Sequence, residues 1–114
     1  MKTPNTLQIC GHTIKIEYRD GLVVGGDECW GVYDDDKHTI YLKIGMSETR
    51  KMEILLHECI HAIAEIHNLN LSEKAVKILA IALLALIRDN KIDFLGNYEK
   101  RNNSRRRTQR KRRN

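Results

Sequence analysis

The sequence predicts an α+β domain in which a small antiparallel sheet of about four strands is followed by two helices. Polar and apolar residues alternate in short runs over the first 45 residues, which is the period of half-buried strands. Two longer segments, residues 47–67 and 72–90, instead repeat apolar residues every three to four positions, as amphipathic helices do. All strand-like runs precede the helical segments, and this order is typical of the α+β class.

The predicted strands are short and are separated by turn-forming residues. Gly11-His12 joins the first two strands, a loop with three glycines covers residues 20–27, and Asp34-Asp35-Asp36-Lys37 forms the last turn. The four predicted strands are residues 7–10, 13–18, 28–33 and 38–44.

The first predicted helix starts at Ser47, a favourable N-cap, and Glu48 in its first turn suits the helix dipole. At about 100° per residue, its apolar and polar side chains separate onto two faces. The predicted core face holds Met52, Leu55, Leu56, Cys59, Ile63 and Ile66. The opposite face holds His57, Glu58, His61 and Glu65.

The second predicted helix starts after Ser72 as N-cap and ends near Asn90. Leu71 and Val76 have the spacing of a hydrophobic staple around that N-terminus. The predicted core face of this helix holds Val76, Leu79, Ala80, Leu83, Leu86 and Ile87.

Charge is distributed unevenly between a body and a tail. Residues 99–114 contain nine of the 20 Lys and Arg but one acid, so residues 1–98 carry 11 basic and 14 acidic residues, a formal charge of −3. The sequence therefore predicts one domain in residues 1–95 and a disordered Arg/Lys-rich tail in residues 99–114.

Cysteine usage and hydropathy indicate a reducing, cytoplasmic location. The three cysteines form no CxxC pair and no disulfide framework. The polar N-terminus does not resemble a signal peptide. The longest apolar stretch, residues 75–87, is 13 residues long and contains Lys77, so we expect no membrane association.

His57-Glu58-Cys59-Ile60-His61 is a His-Glu-x-x-His motif within the first predicted helix. Histidines four residues apart lie on one helical face, about 6 Å apart along the axis, so both imidazoles can bind one metal ion. Glu58 lies beside them, where its carboxylate can act on a metal-bound water as a general base. The motif predicts a metal-dependent hydrolase, with zinc as the ion that suits such ligands.

A catalytic zinc site needs a third protein ligand, and the sequence offers four candidates. Glu73 opens the second predicted helix, where the helix dipole also favours an acid. His67 has the metzincin spacing, but Ala64 stands where that pattern has a helix-breaking glycine. Glu65 lies on the motif's own helix, and Cys29 would correspond to the cysteine ligand of a peptide deformylase, whose other motifs are absent.

Residues 28–88 resemble small zincin-fold proteins of phages and mobile elements, the minigluzincins and ImmA/IrrE-type metallopeptidases. The resemblance is carried by His38-Thr39-Ile40-Tyr41-Leu42, by the motif segment 54–63, and by Glu73-Lys74-Ala75-Val76. It implies a minimal, gluzincin-like zincin fold in which a strand precedes the motif helix. It also implies that Glu73 is the third zinc ligand, beside His57 and His61.

This resemblance implies a zinc metallopeptidase in which Glu58 is the general base that activates water for hydrolysis of a peptide bond. We then expect an extended peptide or protein substrate to pair with a sheet edge formed by residues 38–43. His38 is a candidate donor to the developing oxyanion, although an ordinary position at the start of a strand explains it as well.

Nucleic-acid binding is the alternative function. Residues 100–113 can contact several phosphates and give affinity that depends on salt but not on base sequence, although such a segment can also serve only as a solubilising tail. A basic tail and a zinc site are compatible, since a protease localised on DNA, as in SprT-type proteins that also carry His-Glu-x-x-His, would use both. A zincin domain that binds but scarcely catalyses would carry the same ligands.

Overall fold

The computed structural model describes residues 3–90. Within this range the chain is α+β, as the sequence predicts, because six strands precede two helices. The strands are β1 (Thr6–Ile9), β2 (His12–Arg19), β3 (Val23–Val24), β4 (Asp27–Glu28), β5 (Gly31–Asp34) and β6 (Thr39–Lys43). The helices are α1 (Glu48–Ile66) and α2 (Glu73–Asn90).

The main sheet is mixed, and the prediction of a wholly antiparallel sheet was wrong. Its strand order is β1-β2-β6-β5; β2 and β6 are parallel, with Ile16 opposite Ile40, and the other two pairs are antiparallel. The physical reason is the long connection after β2, which contains the β3–β4 hairpin. This connection leads past one strand position, so β5 lies at the far edge and the chain returns through β6, which lies between β2 and β5.

β6 is a central strand, so the predicted sheet edge at residues 38–43 was also wrong. Ile40 and Leu42 have no exposed surface, and Thr39 is buried too. A strand this apolar is best buried between two neighbours, which also satisfy the hydrogen bonds of its backbone on both sides. The edge next to β6 is therefore β5, whose four residues are all half-buried.

α1 packs across one face of the sheet. Ser47 caps it as predicted, because the Ser47 hydroxyl accepts a hydrogen bond from the Arg50 backbone N–H at 3.3 Å. Leu55 and Ala62 of the helix join the sheet residues in the larger core cluster. The buried sheet residues of that cluster are Ile9, Ile14, Ile16, Ile40 and Leu42.

A second, smaller core cluster lies between α1 and α2. Ile60 of α1 packs there with Val76 and Ala80 of α2, and partly buried Leu56 packs against them. α1 is therefore covered on two sides, which the single predicted core face did not anticipate.

This arrangement changes the burial of several residues on the two predicted core faces. On α1, Ile63 is 39% exposed while Ala64 is buried. On α2, Leu79 and Leu83 are 41% and 39% exposed, although the predicted face included both.

α1 ends in a Schellman motif. Asn68 takes the left-handed conformation (φ 55°), which asparagine tolerates better than most residues. The backbone N–H of Leu69 then bonds to the Ala64 carbonyl at 2.8 Å, and that of Asn68 to the Glu65 carbonyl at 3.3 Å. The helix therefore ends after Ile66 without a glycine or proline.

The chain divides into two compact units, Met1–Leu84 and Ala85–Asn114, and the boundary falls within α2. In the second unit the structure describes residues 85–90, which are helical. The predicted tail, residues 99–114, and the end of the predicted domain lie outside the described residues. Neither helix in the described part of the chain has the length and apolarity that a membrane crossing requires.

Candidate metal centre

The two motif histidines present their Nε2 atoms to the same space. His57 and His61 stand one turn apart on α1, and their Nε2 atoms are 3.2 Å apart. The rings are tilted at 62° with centroids 4.9 Å apart, so the two nitrogens converge although the rings do not stack. Both side chains are partly buried, which limits the rotamers they can adopt.

Glu73, the first residue of α2, brings its carboxylate to both histidines. Glu73 Oε1 lies 2.6 Å from His57 Nε2, and Oε2 lies 3.0 Å from His61 Nε2. Ser72 caps α2 as predicted, because its hydroxyl accepts a hydrogen bond from the Ala75 N–H at 3.1 Å. This cap fixes the N-terminus of α2, and so the backbone of Glu73, opposite the motif.

The donor set fits zinc in chemistry and in spacing. Two imidazole nitrogens and a carboxylate are ligands of catalytic zinc, and bonds of about 2.0–2.1 Å place tetrahedral ligands about 3.3–3.4 Å apart. The Nε2–Nε2 distance of 3.2 Å is close to that value, and the Nε2–Oε2 distance of 3.0 Å is a few tenths shorter. The Nε2–Oε1 contact, at 2.6 Å, is that of a strong hydrogen bond and would lengthen around an ion.

Among residues 3–90, His57, His61 and Glu73 form the one cluster of three His, Cys, Asp or Glu side chains whose ligand atoms lie within 4.8 Å of one another. Glu65 and Cys29 line the neighbouring cleft but are outside this cluster. The Cys29 thiol is directed towards the Leu22 carbonyl, 3.8 Å away, and burial, followed by the charges of Glu58 and Glu28, raises its pKa.

His67, the metzincin-like candidate, lies elsewhere. It is the C-cap of α1, and its Nε2 is 3.2 Å from Sγ of Cys10 in the β1–β2 turn. The Schellman motif ends α1 too late to return His67 towards His57 and His61. The structure therefore brings Glu73, rather than His67, to the motif.

Glu58 is buried, with 6% of its surface exposed, although the sequence placed it on a polar face. It lies where α1 meets β5, close enough to the Tyr33 backbone N–H for a hydrogen bond that favours the ionised carboxylate. Burial, assisted by the negative charge of Glu73, raises the pKa of Glu58 from 4.5 to about 7, while the bond from Tyr33 opposes the rise. A carboxyl group with a pKa near neutrality suits proton transfer at neutral pH.

Gly31 allows this close approach of α1 to β5. A Cβ atom at position 31 would lie 2.6 Å from Ile54 Cγ2 and 3.3 Å from Glu58 Cγ. Since real Cβ atoms do not pack at 2.6 Å, any other residue would displace the helix or the side chains of Ile54 and Glu58.

A cleft of about 690 Å³ opens beside the histidines, between the edge strand β5 and α1. This size is typical of small-molecule and peptide pockets. The cleft is lined by Val24, Glu28, Cys29, Trp30, Gly31, Val32, Tyr33, Asp35, Ile54, His57, Glu58, His61, Glu65 and Glu73.

His38, the candidate oxyanion donor, does not line this cleft. Its ring stacks on His12, with centroids 5.6 Å apart and planes within 10°. This placement favours the alternative explanation, an ordinary residue before a strand, because the oxyanion role depended on residues 38–43 forming the sheet edge, whereas β6 is central.

Several cleft residues that lie on β5 or next to either of its ends were not predicted from the sequence. Tyr33, Asp35, Trp30 and Glu28 all line the cleft. The available signal was the strand predicted at 28–33, but its role depended on knowing that β5, and not β6, lies at the edge.

In comparisons with known proteins, no family model, no curated protein and no solved structure matches the chain.

Proposed function

We propose that the protein is a zinc-dependent peptidase that hydrolyses a peptide bond at the His57–His61–Glu73 centre. The observation that carries this proposal is the convergence of two Nε2 atoms and one carboxylate, all within 4.8 Å, beside buried Glu58. Each Nε2 carries at most one proton, so hydrogen bonds alone cannot satisfy the two His–Glu73 contacts and the 3.2 Å Nε2–Nε2 contact at the same time. A shared cation accounts for both features.

The residues of the site have separate roles in the proposed reaction. His57, His61 and Glu73 would hold zinc, which when bound acidifies water and polarises a substrate carbonyl. Glu58 takes the proton from the attacking water and returns it to the leaving amine, a role for which its raised pKa is suited. The nearby Tyr33 backbone N–H favours the ionised form of the Glu58 carboxyl group, which is the form that accepts the proton.

The substrate is best accommodated along β5. This strand is paired with β6 on one side and lines the cleft on the other, so its free N–H and C=O groups can pair with an extended peptide. The free cysteines Cys10, Cys29 and Cys59 are consistent with work in a reducing compartment such as the cytoplasm.

Glu58→Gln tests the catalytic role separately from metal binding. We expect the variant to retain zinc and lose cleavage of a quenched-fluorescence peptide library by at least about a hundredfold, the low end for a general base. Glu53→Gln is the matched control, because it makes the same change on α1 outside the cleft. Loss of zinc from Glu58→Gln would show that Glu58 is a ligand. A zinc-bound wild-type protein that cleaves no library member would be a binding module instead.

A further inference from the structure

The acids at the two ends of the cleft differ in whether a cation of the protein lies beside them. Within residues 3–90, every lining residue with a formal charge at neutral pH is acidic, and no Lys or Arg from this range lines the cleft. Glu58 and Glu73 belong to the catalytic centre already described, which leaves Glu28 at one end and Asp35 with Glu65 at the other. Whether cations lie near each acid decides what each end can bind.

At the Glu28 end, cations from the protein itself already occupy the acid and the aromatic ring. Lys43 Nζ lies 3.2 Å from Glu28 Oε1 and 4.6 Å from the centroid of the Trp30 ring. The Arg50 guanidinium lies over the same ring, also at 4.6 Å. A substrate cation would therefore gain little binding free energy at this end of the cleft.

At the other end, Asp35 and Glu65 lie near the Tyr33 hydroxyl, and neither acid forms an ion pair within residues 3–90. The Tyr33 hydroxyl donates to Asp35 Oδ1 at 3.3 Å, and no ion pair within this range involves Asp35 or Glu65. The Tyr33 phenol responds to both acids, because burial and then the charges of Asp35 and Glu65 raise its pKa. Asp35 therefore contacts the phenol directly, and Tyr33, Asp35 and Glu65 all line the same cleft.

We propose that the cleft selects an extended polypeptide that carries a Lys or Arg side chain beside Tyr33, Asp35 and Glu65. The aliphatic stem of such a side chain packs on the Tyr33 ring while its charged head reaches the two carboxylates. The free edge of β5 supplies the main-chain pairing that brings this side chain into place. The inference rests on the proposed function, since it assigns a substrate class to the same site.

Binding of matched peptides tests this preference. The probes are three fluorescein-labelled eight-residue peptides that differ at one position, which holds Lys, norleucine or Glu; the series is repeated with that position moved along the peptide. The protein is the full chain, loaded with zinc and carrying Glu58→Gln to prevent turnover. Two exposed charge pairs and one cation–π contact predict about tenfold tighter binding of the best Lys peptide than of its Glu counterpart.

Variants of Asp35 and Glu65 test whether these two acids cause the preference for the Lys peptide. The double change Asp35→Asn with Glu65→Gln should reduce the Lys-to-Glu ratio to about twofold or less, whereas Asp20→Asn, which removes an exposed acid outside the cleft, should leave it unchanged. All variants share the same Arg-rich C-terminal sequence, so their differences arise from the cleft. Equal affinities for the three peptides, or a preference that survives the double change, would overturn the proposal.

Cleavage of the same peptides by wild-type protein separates this inference from the proposed function. A Lys preference in binding without any cleavage would leave the substrate class standing and contradict the peptidase activity. Equal cleavage of Lys and Glu peptides would support the peptidase activity and contradict the preference for a Lys or Arg side chain. Cleavage that favours Lys and loses this preference in the double variant would support both.

Discussion

Glu58 shows how the environment of one residue changes its chemistry. The sequence motif gives the carboxylate its place beside two histidines, but burial between α1 and β5 gives it a pKa of about 7. The sequence pattern predicts a polar face for Glu58, because a helical wheel cannot show that a second element covers that face. The two His positions needed no such information, since their four-residue spacing alone brings them together.

The raised pKa of Glu58 predicts a pH-dependent stability of the metal-free protein. The folded state binds the proton more tightly than the unfolded state, so Glu58 stabilises the fold below pH 4.5. That stability is lost as the pH rises through about 7. A shift from 4.5 to about 7 corresponds to roughly 3 kcal/mol in the free energy of unfolding.

Urea denaturation in the presence of a chelator, from pH 4 to 8, measures this effect. Glu58→Gln cannot ionise, so the free energy of unfolding of the variant should fall less with pH than that of wild type. The variant should therefore be the more stable protein at pH 8. Parallel pH curves for the two proteins would show that Glu58 has an ordinary pKa. Adding zinc should flatten the wild-type curve, because a nearby cation favours the ionised carboxylate.

The candidate centre joins two helices, so an ion bound there would connect α1 and α2 if Glu73, rather than His67, is the third ligand. Glu73 comes from the capped start of α2, while both histidines come from α1. In addition to the three candidate ligands, α1 and α2 share a small core of Ile60, Val76 and Ala80. A shared ion would therefore stabilise the packing of α2 on α1 as well as the site.

We expect Glu73→Ala to weaken zinc binding by more than about a hundredfold, the upper range for loss of a residue that merely supports a ligand. The same variant should lose the rise in Tm that zinc gives the wild-type protein, roughly 15 °C or more at a thousandfold excess over Kd. Calorimetric titration and thermal melts with and without zinc provide both numbers.

His67→Ala is the comparison variant, because His67 contacts Cys10 and lies outside the cluster. Its zinc affinity should stay within about threefold of wild type, the range of context effects on an unrelated site. If His67→Ala lost zinc while Glu73→Ala kept it, the ligand set would be the metzincin one and the assignment of Glu73 would be wrong.

The secondary structure was largely predictable from the sequence, whereas the strand order was not. Ser47 and Ser72 mark both helix starts, and alternation locates the four strands of the main sheet. Alternation gives the period of a strand but not its neighbours, so the parallel β2–β6 pair was missed. The identity of the edge strand depends on that pair, and so does the prediction that Tyr33 and Asp35 line the cleft.

Over the full chain, acidic and basic residues are separated in the sequence. The cleft lies in the part with a formal charge of −3, and nine of the 20 Lys and Arg lie in residues 99–114. Deleting residues 99–114 should therefore leave zinc binding and Tm unchanged, to within about 2 °C, but reduce affinity for single- or double-stranded DNA at least tenfold at low salt.

Filter binding at several salt concentrations, with the full and the shortened chain, checks this prediction. The control is replacement of residues 105–107 by glutamine, which keeps the length of the chain. Undiminished DNA affinity in both variants would place the contact on residues 1–98. A lower Tm of the shortened chain would show that the deleted residues contribute to packing.

The zinc content of the protein tests the proposed centre without reference to any substrate. The full chain, purified without chelator or added metal, should contain close to one zinc per chain by elemental analysis. The double variant His57→Ala with His61→Ala should contain almost none. After chelation, the wild-type protein should take up one equivalent again on titration. A folded wild-type protein that contains no zinc and takes up none would contradict the assignment of His57, His61 and Glu73 as a metal centre.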